Sequence, residues 1–264
     1  MKKLLLMFTL TLAFGVTANA QFGKLNTKHL DAAKKTAKAF TLTDAEIAQY
    51  CQEYIDWMDK NNPVCETTDE GPKRKGFADR LAKIVESIPA SERKGLDIKA
   101  YFVIDQNAFA CANGSIRVFA GLMELMTDDE ILGIIGHEIG HIVNKDSKDA
   151  FKKALLTSAL KDAVGSTGGT AATLSDSQLG ELGEALAGAQ FSQKAEYAAD
   201  DYGYELLKKC GKDAKAMASA LRVIQKLQDD AGADKSKMKQ LFSTHPESGK
   251  RADKLDQKYA KENK

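Results

Sequence analysis

The chain has 264 residues, of which 43% are hydrophobic and 28% charged, a composition typical of a globular protein with one large domain or two small ones. Its 38 basic and 37 acidic side chains give a formal net charge of +1 at pH 7. A charge this close to neutral argues against nucleic acid or an anionic membrane surface as the main partner.

The first twenty residues have the three parts of a secretory signal peptide. Lys2-Lys3 precedes an apolar run over 4–16, and Ala18-Asn19-Ala20 supplies a small-residue cleavage site. We therefore predict a signal peptide over 1–20 and a periplasmic or secreted protein that begins at Gln21. Loss of the two lysines changes the formal charge from +1 to −1.

The mature chain has no predicted transmembrane segment, because no later stretch supplies the roughly 18 uncharged apolar residues that a span requires. Residue 21 is not a cysteine, so no lipid anchor is expected and any association with the cell envelope should be peripheral. Residues 21–40 are rich in lysine and alanine and predict an N-terminal arm, followed by one domain over 41–264.

Helices open this domain and two strands follow. Thr43-Asp44 caps a helix that ends near Asn61-Asn62-Pro63, and a second helix is predicted over 77–88. Strands are predicted over 98–104 and 115–119, with turn residues before the second. The later segments indicate helix or loop, so the predicted fold class is α+β, mostly helical with a small β-sheet.

A short segment between the two strands contains Asn107, Ala108 and Phe109 and continues to Cys111. One interpretation is an exposed strand edge beside the site described next, on which an extended peptide substrate pairs main chain to main chain. The other is an ordinary connecting segment. The sequence favours neither.

The stretch from Thr127 to Asn144 predicts one helix, because Thr127 and Glu130 form a capping box and a broad apolar arc follows. Its residues His137 and His141 lie about 40° apart around the helix axis, so both imidazoles leave one face.

This HExxH spacing predicts that His137 and His141 bind one zinc ion, and that Glu138 takes a proton from a water on that metal. The alternative is a core helix with two hydrogen-bonded histidines. Gly133, Gly136 and Gly140 form a stripe beside the histidine face. We expect the helix that carries the remaining ligand to approach closely there.

A hydrolytic zinc takes three protein ligands and keeps one position for water. A third histidine of the HExxHxxGxxH type is excluded, because Asn144 and Ser147 occupy the positions that follow His141. We judged Asp146 and Asp149 too close behind His141 to reach back.

Glu196, on a helix predicted over 191–210, is the favoured carboxylate ligand, and Glu181 and Glu184 remain open. Asp200 lies one turn beyond Glu196 on the same face, where it can hold the outer nitrogen of a ligating histidine. Between these helices, the segment over 165–170 predicts a flexible hinge or lid.

Two later residues have plausible site roles. His245 either hydrogen-bonds the oxyanion of the reaction or occupies the fourth zinc position at rest, unless it is simply a histidine at a helix N-terminus. Arg251 either pairs with a site carboxylate or is solvated.

The four cysteines match no zinc-ribbon or CxxC spacing. In an exported protein two disulfides are expected, and we favour Cys51 with Cys111 and Cys65 with Cys210. One disulfide and two buried thiols is the alternative.

The chain resembles the gluzincin peptidases of the HtpX and CAAX-prenyl-protease family, in particular the small exported members of the LoiP type. The resemblance covers about residues 41–251. It is carried by Asn107-Ala108-Phe109-Ala110, Asn113-Gly114, Gly121-Leu122, His137-Glu138-Ile139-Gly140-His141, Phe191-Ser192-Gln193, Glu196, Ala199-Asp200, His245-Pro246 and Arg251.

The resemblance implies a zincin-like endopeptidase with one Zn²⁺ per chain, bound by His137, His141 and Glu196. It further implies that Glu138 is the general base, that Asp200 orients a ligand, and that His245 and Arg251 serve the transition state. The expected substrates are polypeptides, namely misfolded or envelope proteins under quality control. The alternative is a zinc-containing, chaperone-like binding protein with a latent or plugged site.

Overall fold

The computed structural model describes residues 42–157, 173–231 and 244–264. The predicted signal peptide over 1–20, the predicted arm over 21–40 and the predicted hinge or lid over 165–170 lie outside these residues. The helices are α1 (Asp44–Asn61), α2 (Pro72–Glu86), α3 (Ala90–Arg93), α4 (Ala120–Leu125), α5 (Asp128–Val143), α6 (Asp146–Thr157), α7 (Asp176–Ala187), α8 (Gln193–Lys209), α9 (Lys215–Ala231) and α10 (Ser248–Glu262), and the strands are β1 (Asp97–Tyr101), β2 (Ala108–Ala110) and β3 (Ser115–Phe119). The predicted α+β class, mostly helical with a small sheet, is confirmed.

The sheet has three strands in the order β1-β3-β2. β1 runs parallel to β3, with Ile98 opposite Ile116, whereas β2 is antiparallel to β3, with Ala108 opposite Val118. β2 is therefore an edge strand of this sheet. The stretch between the two predicted strands is thus a strand edge and not an ordinary connecting segment. The sheet also packs against α5, which brings this edge beside the HExxH helix.

The first strand is shorter than predicted, because it ends at Tyr101 rather than at residue 104. Phe102 donates its backbone N–H to the carbonyl of Pro63, and the carbonyl of Val103 accepts from Gly121. These bonds turn the chain away from β3, so the apolar side chain of Ile104 points to solvent, where it is 83% exposed.

A buried cation joins the sheet to α1. The guanidinium of Arg117, in the middle of β3, is fully buried and donates to Asp59 at 2.8 and 2.9 Å and to the carboxylate of Asp97 at 2.8 Å. A buried guanidinium requires such partners, since an unpaired charge in the interior is costly. This group fixes the sheet that carries β2.

Local sequence rules position α5. Thr127 accepts a hydrogen bond from Glu130 N, and the Glu130 side chain accepts from Thr127 N, which completes the predicted capping box. The glycine stripe faces α8: a Cβ on Gly136 would lie 2.8 Å from Gly203 Cα, and one on Gly140 would lie 2.8 Å from Ala199 Cα. The close approach of the helix that carries Glu196 is confirmed.

The predicted disulfides are absent, because Cys51, Cys65, Cys111 and Cys210 are all free thiols. Cys51 and Cys111 do lie in contact within one buried cluster. The thiol of Cys210 is hydrogen-bonded to Ser87 instead of pairing with Cys65. Among the described residues, no helix combines the length and the apolar character needed to cross a bilayer.

Candidate metal centre

Four buried side chains from three parts of the chain converge at one point. The Nε2 atoms of His137 and His141 on α5 are 3.0 Å apart. Glu196, on α8, places Oε1 3.5 Å from His141 Nε2 and Oε2 3.8 Å from His137 Nε2. His245, just before α10, places Nδ1 3.2 Å from His137 Nε2 and 3.0 Å from Glu196 Oε1. One donor atom from each residue lies within 4.8 Å of all the others.

The outer nitrogens of the two α5 histidines are both held by carboxylates. His137 Nδ1 donates to Asp200 at 2.9 Å, and His141 Nδ1 donates to Asp146 at 3.0 Å. Each ring therefore turns its Nε2 atom towards the centre. Carboxylate–histidine pairs of this kind fix the tautomer and the orientation of metal-binding imidazoles.

The donor set fits zinc. Imidazole nitrogens and a carboxylate oxygen are the ligands of hydrolytic zinc sites. Their lone pairs converge on a single buried point, an arrangement that a cation at that point stabilises. Glu181 and Glu184, the other carboxylates that the sequence left open, are exposed on α7 and lie outside the cluster.

The protonation of the two histidines differs in the metal-free protein. Burial and, to a smaller extent, the neighbouring His141 together lower the pKa of His137 to about 4. Burial also opposes protonation of His141, but hydrogen bonds to Asp146 and Glu196 outweigh it and raise the pKa of His141 to about 9. One proton therefore stays on His141 at pH 7, and a metal that binds there has to displace it.

Asp146 is a site residue that the sequence reasoning missed. Its position so soon after His141 predicts that it cannot reach back, but Lys145 between them adopts a left-handed conformation with φ of 68°. This residue reverses the chain directly after α5 and brings the Asp146 carboxylate back to the ring. An αL residue other than glycine has no clear sequence signal.

Arg251 does not lie in solvent but joins the two carboxylates of α8. Its side chain is only 2% exposed. Nε and Nη2 donate to the Asp200 carboxylate at 2.7 and 2.5 Å, and Nη1 contacts Glu196. Burial alone would raise the pKa of Glu196 and of Asp200, but the surrounding histidines and Arg251 hold both pKa values below their ordinary range.

Glu138 lies beside the four donors without belonging to them. It is buried, and its Oε1, 3.8 Å from His245 Nε2, has no hydrogen-bond partner among the described residues. Burial raises the pKa of Glu138 above its ordinary value. A carboxylate with a raised pKa is suited to accept and return a proton near neutral pH.

A cleft opens beside Glu138 and His245 along the edge strand β2. Asn107, Ala108 and Phe109, the predicted substrate-binding residues, all line it. The ring of Phe191, which also lines the cleft, stacks on His141 with a centroid distance of 4.0 Å and an interplanar angle of 16°. The position of Phe191, directly before the helix cap Ser192, gave no hint of this contact.

Comparisons with known proteins agree with this geometry. The sequence model of "Peptidase family M48" matches residues 76–259. The chain is 35% identical to "Metalloprotease LoiP" of Escherichia coli over 224 residues, which cover 84% of each chain. It is 34% identical to "Metalloprotease YcaL" of the same organism over 250 residues, or 92% of this chain and 94% of the relative. A "Protease HtpX homolog" of Salinibacter ruber is 27% identical over 219 residues, which cover 71% of this chain and 75% of the relative.

The match to the M48 model covers more than half of the chain, and the first two relatives are matched over most of their own length. Both relatives are named as metalloproteases, and the described residues contain a buried cluster of metal-binding side chains. The chain therefore belongs to peptidase family M48 and is a metal-dependent endopeptidase that acts on polypeptides.

Proposed function

We propose that the chain binds one zinc ion through His137, His141 and Glu196 and uses it to hydrolyse peptide bonds in exported proteins. The observation that supports this most is the convergence of these three donors, with both histidine rings turned inward by Asp200 and Asp146. Bound zinc lowers the pKa of a water to about 7 and polarises a substrate carbonyl.

The proton transfers are assigned to Glu138. Its buried Oε1 has no hydrogen-bond partner among the described residues, and its raised pKa lets it accept a proton from water and later return it to the leaving amine. Asp200 and Asp146 hold the histidine rings, and Arg251 holds Asp200 and Glu196. None of these three residues needs to touch the substrate.

An extended substrate is proposed to pair with β2. Within the part of the chain that the structure describes, β2 has β3 as its only sheet partner, and Asn107, Ala108 and Phe109 line the same cleft as Glu138. Addition of a strand to a free sheet edge uses main-chain hydrogen bonds and so accepts many sequences. Such tolerance suits an enzyme that removes misfolded or envelope proteins after export.

The export part of the proposal rests on the signal pattern over 1–20. N-terminal sequencing of the protein recovered from cells tests it, since Gln21 is the expected first residue. Retention of Met1 in the cytosolic fraction contradicts it.

Removal of the metal should abolish cleavage. We expect a strong chelator to stop digestion of an unfolded protein such as casein, and a stoichiometric addition of zinc to restore it, because the metal would both lower the pKa of the attacking water and polarise the substrate carbonyl. Gel-based digestion and metal analysis measure both. Digestion that continues in the metal-free protein rules out the proposed mechanism.

His245 is proposed to act as a fourth ligand in the resting state. Its Nδ1 lies 3.2 Å from His137 Nε2 and 3.0 Å from Glu196 Oε1, close enough for all three atoms to bind one ion. Four protein ligands around a tetrahedral zinc ion leave no position for water. The imidazole must therefore move before water can enter. After it has moved, it remains at the mouth, where it can hydrogen-bond the oxyanion of the reaction.

This role predicts that His245→Ala releases zinc to a chelator faster than the wild type, by roughly tenfold or more, because one ligand has been lost. Stopped-flow absorbance with a coloured chelator measures the rate. Equal release rates in the two proteins remove His245 from the resting ligand set.

The contact of His245 with His137 and Glu196 favours a second candidate function, a chaperone-like binding protein in which His245 permanently blocks the metal site. Binding and cleavage of an unfolded protein, each measured with and without a chelator, separate the two functions. Binding that persists without any cleavage, even in His245→Ala, supports the binding protein and excludes the peptidase.

A further inference from the structure

His245 reaches the metal centre on a short segment, residues 244–247. Its side chain is buried, and only 6% of the residue is exposed. Helix α10, which follows the segment, is anchored to α9, because Arg222 donates to Asp253 at 2.5 Å and to Asp256 at 2.9 Å. A displacement of His245 that leaves α10 in place must therefore occur within the segment itself.

The joint between this segment and α10 is strained. Glu247, the residue that precedes the helix, adopts a left-handed conformation with φ of 62° and ψ of 34°. A residue with a side chain rarely takes this conformation and keeps it only where surrounding contacts hold it. The ring of Pro246 fixes its own φ, so the chain turns more readily at Glu247 than at its neighbour. A return of Glu247 to an ordinary conformation would swing His245 relative to α10.

A side-chain hydrogen bond joins the strained residue to α8. Gln193, the first residue of α8, donates from Nε2 to Glu247 Oε2 at 2.6 Å. A longer backbone bond, from Phe191 N to the carbonyl of Thr244 at 3.3 Å, lies at the other end of the segment. The shorter bond therefore acts at the joint itself, where its loss has the larger effect on His245.

We propose that the hydrogen bond from Gln193 to Glu247 is a latch that keeps His245 in the metal centre, and that its rupture opens the position where water and substrate bind. The inference rests on the resting role of His245 proposed above, which it extends to the control of that role. Gln193 is not among the four donors or the described residues that line the cleft, so it is a positioning residue that acts through Glu247.

Loss of the latch should favour substrate binding without changing the chemical step. A substrate that binds only the open state has an apparent affinity reduced by the fraction of molecules that are open. We therefore expect Gln193→Ala to lower KM for dye-labelled casein by about 3- to 10-fold, the effect of one hydrogen bond, with kcat unchanged. Gln193→Glu should lower KM at least as far, because two carboxylates then face each other. Initial rates of the zinc-loaded protein over a range of casein concentrations measure both constants.

A second readout needs neither zinc nor activity. Diethyl pyrocarbonate acylates accessible imidazole rings, and peptide mapping by mass spectrometry gives the rate at each histidine. His245 should react about 3- to 10-fold faster in zinc-free Gln193→Ala and Gln193→Glu than in the zinc-free wild type, since the ring leaves its buried position more often.

Two controls separate the latch from the general loss of a surface bond. Gln193→Glu combined with Glu247→Gln exchanges donor and acceptor, so the bond can form again, and both KM and the rate of acylation should return towards the wild-type values. Gln49→Glu is the matched single substitution, because Gln49 also donates to a glutamate, Glu53 at 3.1 Å, but both residues lie on α1 and not at the joint. It should leave both quantities unchanged.

Faster acylation of His245 that the exchanged pair reverses, together with a lower KM, supports the proposal. If acylation responds in this way in a protein that cuts no casein, the peptidase function fails and the latch stands. An unchanged rate of acylation in Gln193→Glu overturns the latch whether or not casein is cut. An unchanged or higher KM in an active Gln193→Glu enzyme overturns it as well.

Discussion

Glu138→Gln should retain zinc and lose about 10³- to 10⁴-fold in kcat, within the range that general-base catalysis contributes. The carboxylate stands beside the four donor side chains and is not one of them, so its replacement leaves the ligands intact. A glutamine amide has nearly the same shape but cannot accept a proton from water. Metal analysis and casein digestion measure the two effects separately.

Glu181→Gln is the matched control for this substitution, because Glu181 is exposed on α7 and lies outside the metal cluster. It should keep both zinc and activity. A Glu138→Gln variant that still digests casein at a rate near that of the wild type would show that another group takes the proton. A variant that has lost its zinc would instead place Glu138 among the ligands.

Glu196→Gln should lose both zinc and activity. The carboxylate contributes the negative charge that α8 brings to the centre. His245, His141 and His137 keep its pKa low against the effect of burial, so it stays ionised at any physiological pH. A neutral amide is a much poorer zinc ligand. Loss of a residue that only hydrogen-bonds a metal ligand lowers metal affinity by about 10- to 100-fold. Loss of the ligand Glu196 itself should lower zinc affinity by more than that.

A competitive zinc titration measures this affinity, and thermal unfolding with and without zinc gives an independent readout. Zinc that binds only the folded state raises its melting temperature, and this rise should be far smaller in Glu196→Gln than in the wild type. Glu184→Gln, on the exposed face of α7, is the control and should behave as the wild type does. An unchanged zinc affinity in Glu196→Gln would rule out Glu196 as a ligand.

The core of the site could be predicted because local rules decide it. A capping box at Thr127 starts α5, and helical periodicity places His137 and His141 on one face. The glycine stripe predicts the close approach of α8. Each of these depends on residues near one another in the chain. The sequence favours Glu196 over Glu181 and Glu184 because Asp200 lies one turn beyond Glu196 on the same face of a slim helix.

What the sequence did not reveal depends on single backbone conformations and on tertiary contacts. Asp146 reaches His141 only because Lys145 is left-handed, and β1 ends early because Phe102 bonds to Pro63 and Val103 to Gly121 in α4. The predicted partners Cys65 and Cys210 are not joined for a similar reason. Spacing along the chain does not reveal that Cys210 faces Ser87.

The ion pairs of Arg251 have a consequence for biosynthesis. Arg251 and His245 lie 114 and 108 positions after His137, with which they are in contact. A nascent polypeptide that has emerged only as far as the end of α8 has Glu196 and Asp200 but lacks the two later side chains that contact them. The complete metal centre therefore forms only after residue 251 has been synthesised.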